Sequence, residues 1–181
     1  MNYRSSMSVA LAAGILIAGC SLAQRAMPGA TMSDANVLAV LNTIDRAEIE
    51  AGQLAAQKAA SEDVRQLATR TVEEHTQMTQ QTRQLAQRMN VQPDKPALAS
   101  TMEKAHRETM EELRGKSGRD FDQAYITYQI KMHEQAIGLV KDTAGSMSSA
   151  RLQQHLRQAQ PDLQSHLSAA RAVERQSVAQ R

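Results

Sequence analysis

The chain has 181 residues, with 21 basic and 19 acidic side chains, no tryptophan, one phenylalanine and three tyrosines. Binding to nucleic acid needs clustered positive charge and usually stacking aromatic rings, so this near-neutral, aromatic-poor composition argues against that function. Good helix formers dominate, and no segment alternates β-branched residues as a strand would. We therefore expect an all-α protein.

The first twenty residues carry the pattern of an export signal. Arg4 precedes an apolar run over residues 9–17 that is too short to span a bilayer but typical of the core of a signal peptide. Ile17-Ala18-Gly19-Cys20 follows at once and resembles the lipobox of bacterial lipoproteins. This resemblance implies a signal peptide over residues 1–19 and lipidation of Cys20. The alternative is an ordinary signal peptide cut near Ala23.

Cysteine usage favours the lipoprotein interpretation. Cys20 is the sole cysteine, so the chain cannot form an intramolecular disulfide, and acylation would remove an exposed thiol. More than one acyl group is needed for a stable membrane anchor. Ser21, rather than aspartate, follows the cysteine. By resemblance to sorted lipoproteins, this favours the cell envelope and the outer membrane, facing the periplasm.

The mature chain is predicted to begin with a tether, residues 20–33, and to end with a short tail, residues 177–181. Loss of residues 1–19 removes one charged residue, Arg4, and leaves 20 basic against 19 acidic side chains. Residues 34–176 are long enough for one domain with a real core.

Four long amphipathic helices are predicted in that domain. Ser33 or Asp34 can cap the first helix, and Ser61 the second. The third begins near Asp120 and carries two adjacent apolar stripes, so it should be central in the domain. The fourth follows a loop at residues 145–149 and contains Pro161, where we expect a kink or a broken start.

A shorter helix is predicted between the second and third long helices. The second long helix should stop before Pro93. Ser100 and Glu103 then form a capping-box pattern that opens the short helix. The order of inward polar residues, breaks and apolar stripes is similar in the two halves of the domain. This predicts two antiparallel hairpins packed into a four-helix bundle.

Each of the four long helices carries, on its apolar stripe, one residue whose side chain can bind a metal ion. These are Glu48, His75, His133 and His166. Three imidazole nitrogens and one carboxylate oxygen make a good ligand set for one divalent ion of zinc, iron or manganese. Copper is also compatible, because Met78 and Met132 add soft ligands nearby. His106 and His155 are predicted to lie at the surface or rim.

Two alternatives to a metal site remain open. The inward histidines can instead form a buried polar network with Tyr125 or Tyr128 and the carboxylates Glu74 or Asp122. The protein can also be a metal-free scaffold of the cell envelope, or a module that binds an unidentified protein partner. The glutamine-rich face of the second helix would then be the binding surface or merely a solvated side: Gln77, Gln80, Gln81, Gln84 and Gln87.

The sequence offers little support for an enzyme. Di-iron bundles carry Glu-x-x-His motifs, but Val72, Ile130 and Leu163 stand three residues before the inward histidines. No serine or cysteine nucleophile lies beside an inward base in a recognisable elbow, and glycine-rich phosphate loops are absent.

Several blocks of the chain resemble a known family. They are Glu48-Ile-Glu-Ala-Gly-Gln-Leu-Ala, Glu74-His75-Thr76, Phe121-Asp122-Gln-Ala-Tyr125, Met132-His133 and Pro161-x-Leu163-x-x-His166-Leu167. Together they resemble the domain-of-unknown-function 4142 family over roughly residues 34–174. The resemblance implies an exported bacterial protein with a ferritin-like bundle and no established reaction. Relatives often have aspartate where this chain has Glu74.

Overall fold

The computed structural model describes residues 32–179. Within this range the chain forms five α-helices and no β-strand: α1 Asp34–Lys58, α2 Glu62–Met89, α3 Ala97–Gly115, α4 Gly118–Thr143 and α5 Ala150–Ala179. None of these helices is both long and apolar enough to cross a membrane. The predicted signal peptide, Cys20 and nearly all of the predicted tether lie outside the described residues.

The long helices pair as two hairpins. Residues 59–61 connect α1 to α2, and residues 144–149 connect α4 to α5, and the most extensive contacts between helices lie within these two pairs. Short connections of this kind force neighbouring helices to run antiparallel. Contacts between α1 and α4 and between α2 and α5 join the hairpins, while α3 packs on α1 and α4.

Small residues bring α1 and α2 close together. A side-chain Cβ at Gly52 would lie 2.8 Å from Cγ2 of Val72 and 3.1 Å from the carbonyl oxygen of Ala68. The helix backbones therefore approach more closely at this point than any larger residue would permit. This contact fixes how α1 is placed against α2.

Each hairpin is held at its turn by an aspartate from the other hairpin. Asp34, in the first turn of α1, accepts hydrogen bonds from the backbone amides of Ser148 and Ser149, both at 2.9 Å. Asp122, in α4, accepts from the amides of Ala60 and Ser61 at 3.0 and 2.8 Å. These amides precede or open a helix and lack an intrahelical acceptor, so the carboxylates satisfy them.

The predicted helix starts are confirmed in part. Ser33 caps α1 by accepting from the amide of Asn36. Ser61 stands at the start of α2 as predicted, but its side chain makes no capping hydrogen bond, and its backbone amide donates to Asp122. The prediction that Ser100 opens the short helix is wrong, since α3 begins three residues earlier, after Pro96. Proline pre-organises the backbone there, and Glu103 pairs with Lys95 instead.

Pro161 does not break the fourth long helix. Helix α5 runs without interruption from Ala150 to Ala179 with Pro161 inside it, so the predicted broken start is wrong. Pro161 is exposed, and the carbonyl four residues earlier, on the exposed Arg157, can be solvated by water instead of accepting from an amide.

The core consists of two apolar clusters with polar residues between them. One cluster includes Leu38, Ile44, Val140, Leu152 and Leu156. The other lies towards the α1–α2 turn and includes Ala51, Leu67, Phe121, Ile126 and Ala170. Where the clusters meet, the long helices contribute a group that we call the polar layer: Asp45, Glu48, His75, Gln129, His133 and His166. All of these are buried except His166, which is half-buried.

Candidate metal centre

Helical spacing brings the polar layer together from the four long helices. Asp45 and Glu48 lie three residues apart on the buried side of α1, and His75 lies on the same side of α2 as Leu67, Ala68 and Leu85. On α4, Gln129 and His133 continue the buried row of Tyr125 at intervals of four. Residues separated by three or four positions share one helix face, so each helix presents its polar group to the centre.

The three inward histidines meet at one point. His75, His133 and His166 each offer a ring nitrogen, and these atoms all lie within 4.8 Å of one another. Nε2 of His133 is 3.2 Å from Nδ1 of His166. The ring centroids are 5.2 to 5.6 Å apart and the rings are steeply inclined to each other, so they do not stack. The edges of the rings, where the nitrogens lie, face the common point.

The remaining nitrogen of each histidine has an acceptor of its own. Nδ1 of His75 lies 3.0 Å from the Asp45 carboxylate, and Nδ1 of His133 lies 2.8 Å from the carbonyl oxygen of Gln129. Nε2 of His166 lies 2.6 Å from the Glu74 carboxylate. Metal-binding histidines almost always donate their outer N–H to a carboxylate or a backbone carbonyl in this way, which fixes the tautomer and the ring orientation.

These outer bonds determine which nitrogens carry lone pairs. A carbonyl or carboxylate can only accept, so the outer nitrogen of each ring is the donor, and in a neutral ring the inner nitrogen is then an acceptor. Three lone pairs therefore converge from His75, His133 and His166. Two facing lone pairs at 3.2 Å repel each other unless a proton or a metal cation lies between them. The arrangement is suited to holding a cation.

Glu48 lies next to this triad but is not among the three residues with closely grouped ligand atoms. One carboxylate oxygen accepts from the side-chain amide of Gln129 at 2.5 Å. The other oxygen of Glu48 and Nε2 of His75 are buried and have no hydrogen-bond partner within residues 32–179. Buried polar atoms are nearly always satisfied, so these two atoms, on side chains close enough for each charge to act on the other, are free to bond to a ligand.

Burial and neighbouring charges raise the pKa of some groups in the polar layer and lower the pKa of others. Burial raises the pKa of Glu48 to about 7, although the charge of His75 acts in the opposite direction. Burial also lowers the pKa of His133 to about 3. For His75, burial alone would lower the pKa, but the hydrogen bond to Asp45 and the charges of Glu48 and Asp45 raise it. For His166, burial and the His75 charge lower the pKa, and Glu74 opposes them.

The structure brings together the three histidines that the sequence singled out. Two residues of the polar layer, Asp45 and Gln129, were missed, although their spacing held a signal. Asp45 follows Leu41 by four residues and precedes Glu48 by three, which places it on the inward stripe of α1. Gln129 stands midway between Tyr125 and His133 on α4. Aspartate and glutamine are mostly exposed in folded proteins, so their residue types alone do not predict burial at these positions.

The predicted polar network is also present in part. Glu74 joins it through His166, whereas Asp122 bonds to the backbone at the α1–α2 turn. Tyr128 bonds elsewhere, since its hydroxyl lies 3.1 Å from Nδ1 of His106, outside the triad. Because these contacts use the outer nitrogens of the histidines, a polar network and a metal site are compatible at this position.

His106 and His155 both lie outside the triad. His106 lies at the edge of a groove of about 440 Å³ between α1 and α3, where Arg46 and Arg107 also line the wall. Its Nε2 is 3.2 Å from the exposed carboxylate of Glu50. His155 is half-buried on α5, close enough to Asp45 for the two charges to affect each other's pKa. Both positions agree with the predicted rim.

Comparison with known proteins identifies a family for the chain but no characterised relative. No curated protein and no solved structure matches it. The family described as domain of unknown function (DUF4142) matches residues 20–173, a range that includes every residue of the polar layer. The chain therefore belongs to the DUF4142 family.

Proposed function

We propose that this protein binds one divalent metal ion between its long helices, with His75, His133 and His166 as ligands and Glu48 as the fourth. The proposal rests on one observation, the convergence of three imidazole lone pairs whose outer nitrogens are all held by acceptors. The unpartnered oxygen of Glu48 supplies a negative charge and a further ligand atom beside them. An N₃O donor set of this kind is common in protein metal sites.

One pair of the inward nitrogens has the spacing expected of two ligands on a small transition-metal ion, and the third nitrogen lies within 4.8 Å of both. A tetrahedral zinc ion bonded at about 2.0–2.1 Å keeps neighbouring ligand nitrogens roughly 3.3–3.4 Å apart. The His133–His166 separation is 3.2 Å. Zinc, iron, manganese and copper all accept imidazole with one carboxylate, so the donor set selects this group of metals against magnesium or calcium, which prefer oxygen alone.

We infer that the described helices form a ferritin-like, antiparallel four-helix bundle with α3 packed outside it. The contacts support this arrangement, because α1 touches α2 and α4, and α5 touches the same two helices. A closed ring of four contacts between two hairpins is the packing expected of such a bundle. A metal held at its centre would join both hairpins.

We further propose that the domain is tethered by lipid at Cys20 to the cell envelope, in the outer membrane and facing the periplasm. The support is the sequence Ile17-Ala18-Gly19-Cys20 after an apolar run, followed by Ser21. Mass spectrometry of the amino-terminal peptide from the membrane fraction tests this. We expect an acylated Cys20, and we expect Cys20→Ser to move the protein to the soluble fraction. An unmodified cysteine would contradict the anchor.

Elemental analysis of the full chain tests metal binding. We expect nearly one equivalent of a transition metal in the protein purified untagged, and loss of that metal in the double variant His75→Ala/His133→Ala. The matched control is His106→Ala/His155→Ala, which removes the same number of histidines from positions outside the triad. Circular dichroism checks that both variants remain helical.

A different outcome would reject the site. Equal metal content in the two double variants would show that the metal binds elsewhere. A folded unmodified chain that contains no metal, and takes none up from solution, would leave a buried polar network. The metal-free envelope scaffold would then be the better description, and the search would move to protein partners.

A further inference from the structure

A continuous line of polar contacts connects the polar layer to solvent on the face where α2 meets α5. The exposed fraction of the side chain falls from 53% at Arg70 to 32% at Glu74, 10% at His166 and 1% at His75. On α1, Asp45 and Glu48 are both buried. The gradient of exposure therefore runs inward from Glu74 to the triad.

Polar contacts connect these residues without a gap. Nε of Arg70 is 2.8 Å from one carboxylate oxygen of Glu74, and the other oxygen is 2.6 Å from Nε2 of His166. Nδ1 of His166 is in turn 3.2 Å from Nε2 of His133. Glu74 thus has one oxygen towards the outside and one towards the triad, with a cation, Arg70, on its outer oxygen.

The charges at this face suit the approach of a metal cation. Asp162 lies near enough to His166 for its charge to act on the ring, so two carboxylates surround the outer end of the path. Arg70 is the positive charge that opposes them. The groove between α1 and α3 is less suitable, because its two arginines offset its two glutamates and its inner contact is the pair His106–Tyr128.

We propose that the metal ion enters and leaves through the α2–α5 face, that Glu74 is its first ligand there, and that Arg70 competes with it for Glu74. The proposal rests on the metal site proposed above. It adds the path by which the ion reaches that site and the residue that limits the rate. The incoming cation displaces the guanidinium from the Glu74 carboxylate and is then transferred to His166 and the two buried imidazoles. Arg70 therefore slows both loading and release.

The rate of cobalt(II) uptake by the metal-free full chain tests this route, since the visible absorption of cobalt changes when imidazoles bind. We expect Arg70→Gln to load roughly threefold to tenfold faster at low ionic strength, because one opposing charge is removed from the entrance. High salt should shrink that difference. Glu74→Gln should load more slowly by a similar factor.

Two matched controls separate this effect from net charge. Arg65→Gln removes a charge from the same helix at a residue that pairs with Glu62 and is 37% exposed. Glu73→Gln neutralises the exposed neighbour of Glu74. Both should load like the unmodified chain. If Arg70 merely oriented Glu74 and His166, Arg70→Gln would load more slowly or bind more weakly, and the opposite sign of the effect distinguishes the two roles.

Three outcomes would overturn the proposal. Loading rates of Arg70→Gln and Glu74→Gln equal to those of their controls would exclude this entrance. A larger delay in His155→Gln than in Glu74→Gln would place the entrance beside Asp45 instead. An unmodified chain that takes up no cobalt, zinc or other transition metal would overturn the metal site together with its route, whereas binding with unaltered rates would overturn the route alone.

Discussion

The two hairpins contribute to the polar layer in different ways. The α1–α2 hairpin supplies the carboxylates of Asp45 and Glu48 and one histidine, whose pKa is raised, and its Glu74 contacts the layer from outside. The α4–α5 hairpin supplies two histidines with lowered pKa values and the amide and carbonyl of Gln129. One hairpin therefore supplies the carboxylates, while the other supplies two imidazoles that burial keeps neutral.

This difference explains how the polar layer can be buried without a large cost in free energy. Two apolar clusters enclose it, and an uncompensated charge there would be costly. Without metal, protons on the acidic hairpin keep the net charge low. A divalent cation would replace those protons and interact with both hairpins at once.

The neutral hairpin should make the metal-free protein sensitive to acid. The pKa of His133 is lowered from about 6.5 to about 3 on folding, so below pH 6.5 the unfolded chain binds a proton that the folded chain does not. The stabilisation is complete above pH 6.5 and is lost as the pH falls towards 3. The total loss is about 5 kcal/mol in the free energy of unfolding.

His133→Gln isolates that contribution. Denaturant unfolding between pH 7 and pH 4 should show that unfolding of the variant takes up about one proton fewer than unfolding of the unmodified chain. The slope of stability against pH is the readout, since the substitution also changes stability at every pH. An unchanged slope would contradict the prediction.

The acidic hairpin should behave in the opposite sense through Glu48. Its pKa rises from 4.5 to about 7 on folding, so the unfolded chain ionises first as the pH increases. The associated stability is present below pH 4.5 and is lost by about pH 7. We therefore expect Glu48→Gln to gain up to about 3 kcal/mol at pH 8 in a chelator, relative to any change it shows at pH 4.

The same variant should bind metal more weakly, because it lacks the negative ligand. Titration with zinc and denaturant unfolding at the two pH values measure both effects on one sample. A variant that gains stability at pH 8 and keeps full metal affinity would show that Glu48 is buried beside the site without being a ligand.

The outer acceptors also differ between the hairpins. His75 depends on a side chain, Asp45, whereas His133 depends on the backbone carbonyl of Gln129. Asp45→Asn should lower metal affinity by roughly 10–100-fold, because losing such a partner usually has this effect. Asp142→Asn, at an exposed position on α4, is the control in the same calorimetric titration. Equal affinities would show that Asp45 does not orient His75.

The smallest effects are expected where each hairpin holds the turn of the other. Asp122→Ala and Asp34→Ala each leave two backbone amides without their acceptor, which should cost about 1–2 kcal/mol. The loss should be larger for Asp122, the more buried residue. The two sites lie at opposite ends of α1, so the double variant should lose the sum. Denaturant unfolding measures this, and strong non-additivity would contradict the reciprocal arrangement.

Sequence reasoning was most successful where a single helix decides the outcome. The apolar spacing predicted the long helices, and the inward positions of His75, His133 and His166 followed from their place on those stripes. The start of α3 was predicted wrongly because two local signals compete there, the capping pattern at Ser100 and the proline at residue 96. The role of Glu48 as a ligand stays a prediction.

What the sequence by itself determined is the set of helices, the face of each that turns inward and the family to which the chain belongs. The tertiary structure decided which inward residues share a depth, and so which of them can meet. Spacing along one helix gives an angle around its axis, but the relative height of two helices depends on contacts such as the approach at Gly52 and the turns held by Asp34 and Asp122. The partners Asp45, Gln129 and Glu74, which fix the three lone pairs, became visible only once those heights were set.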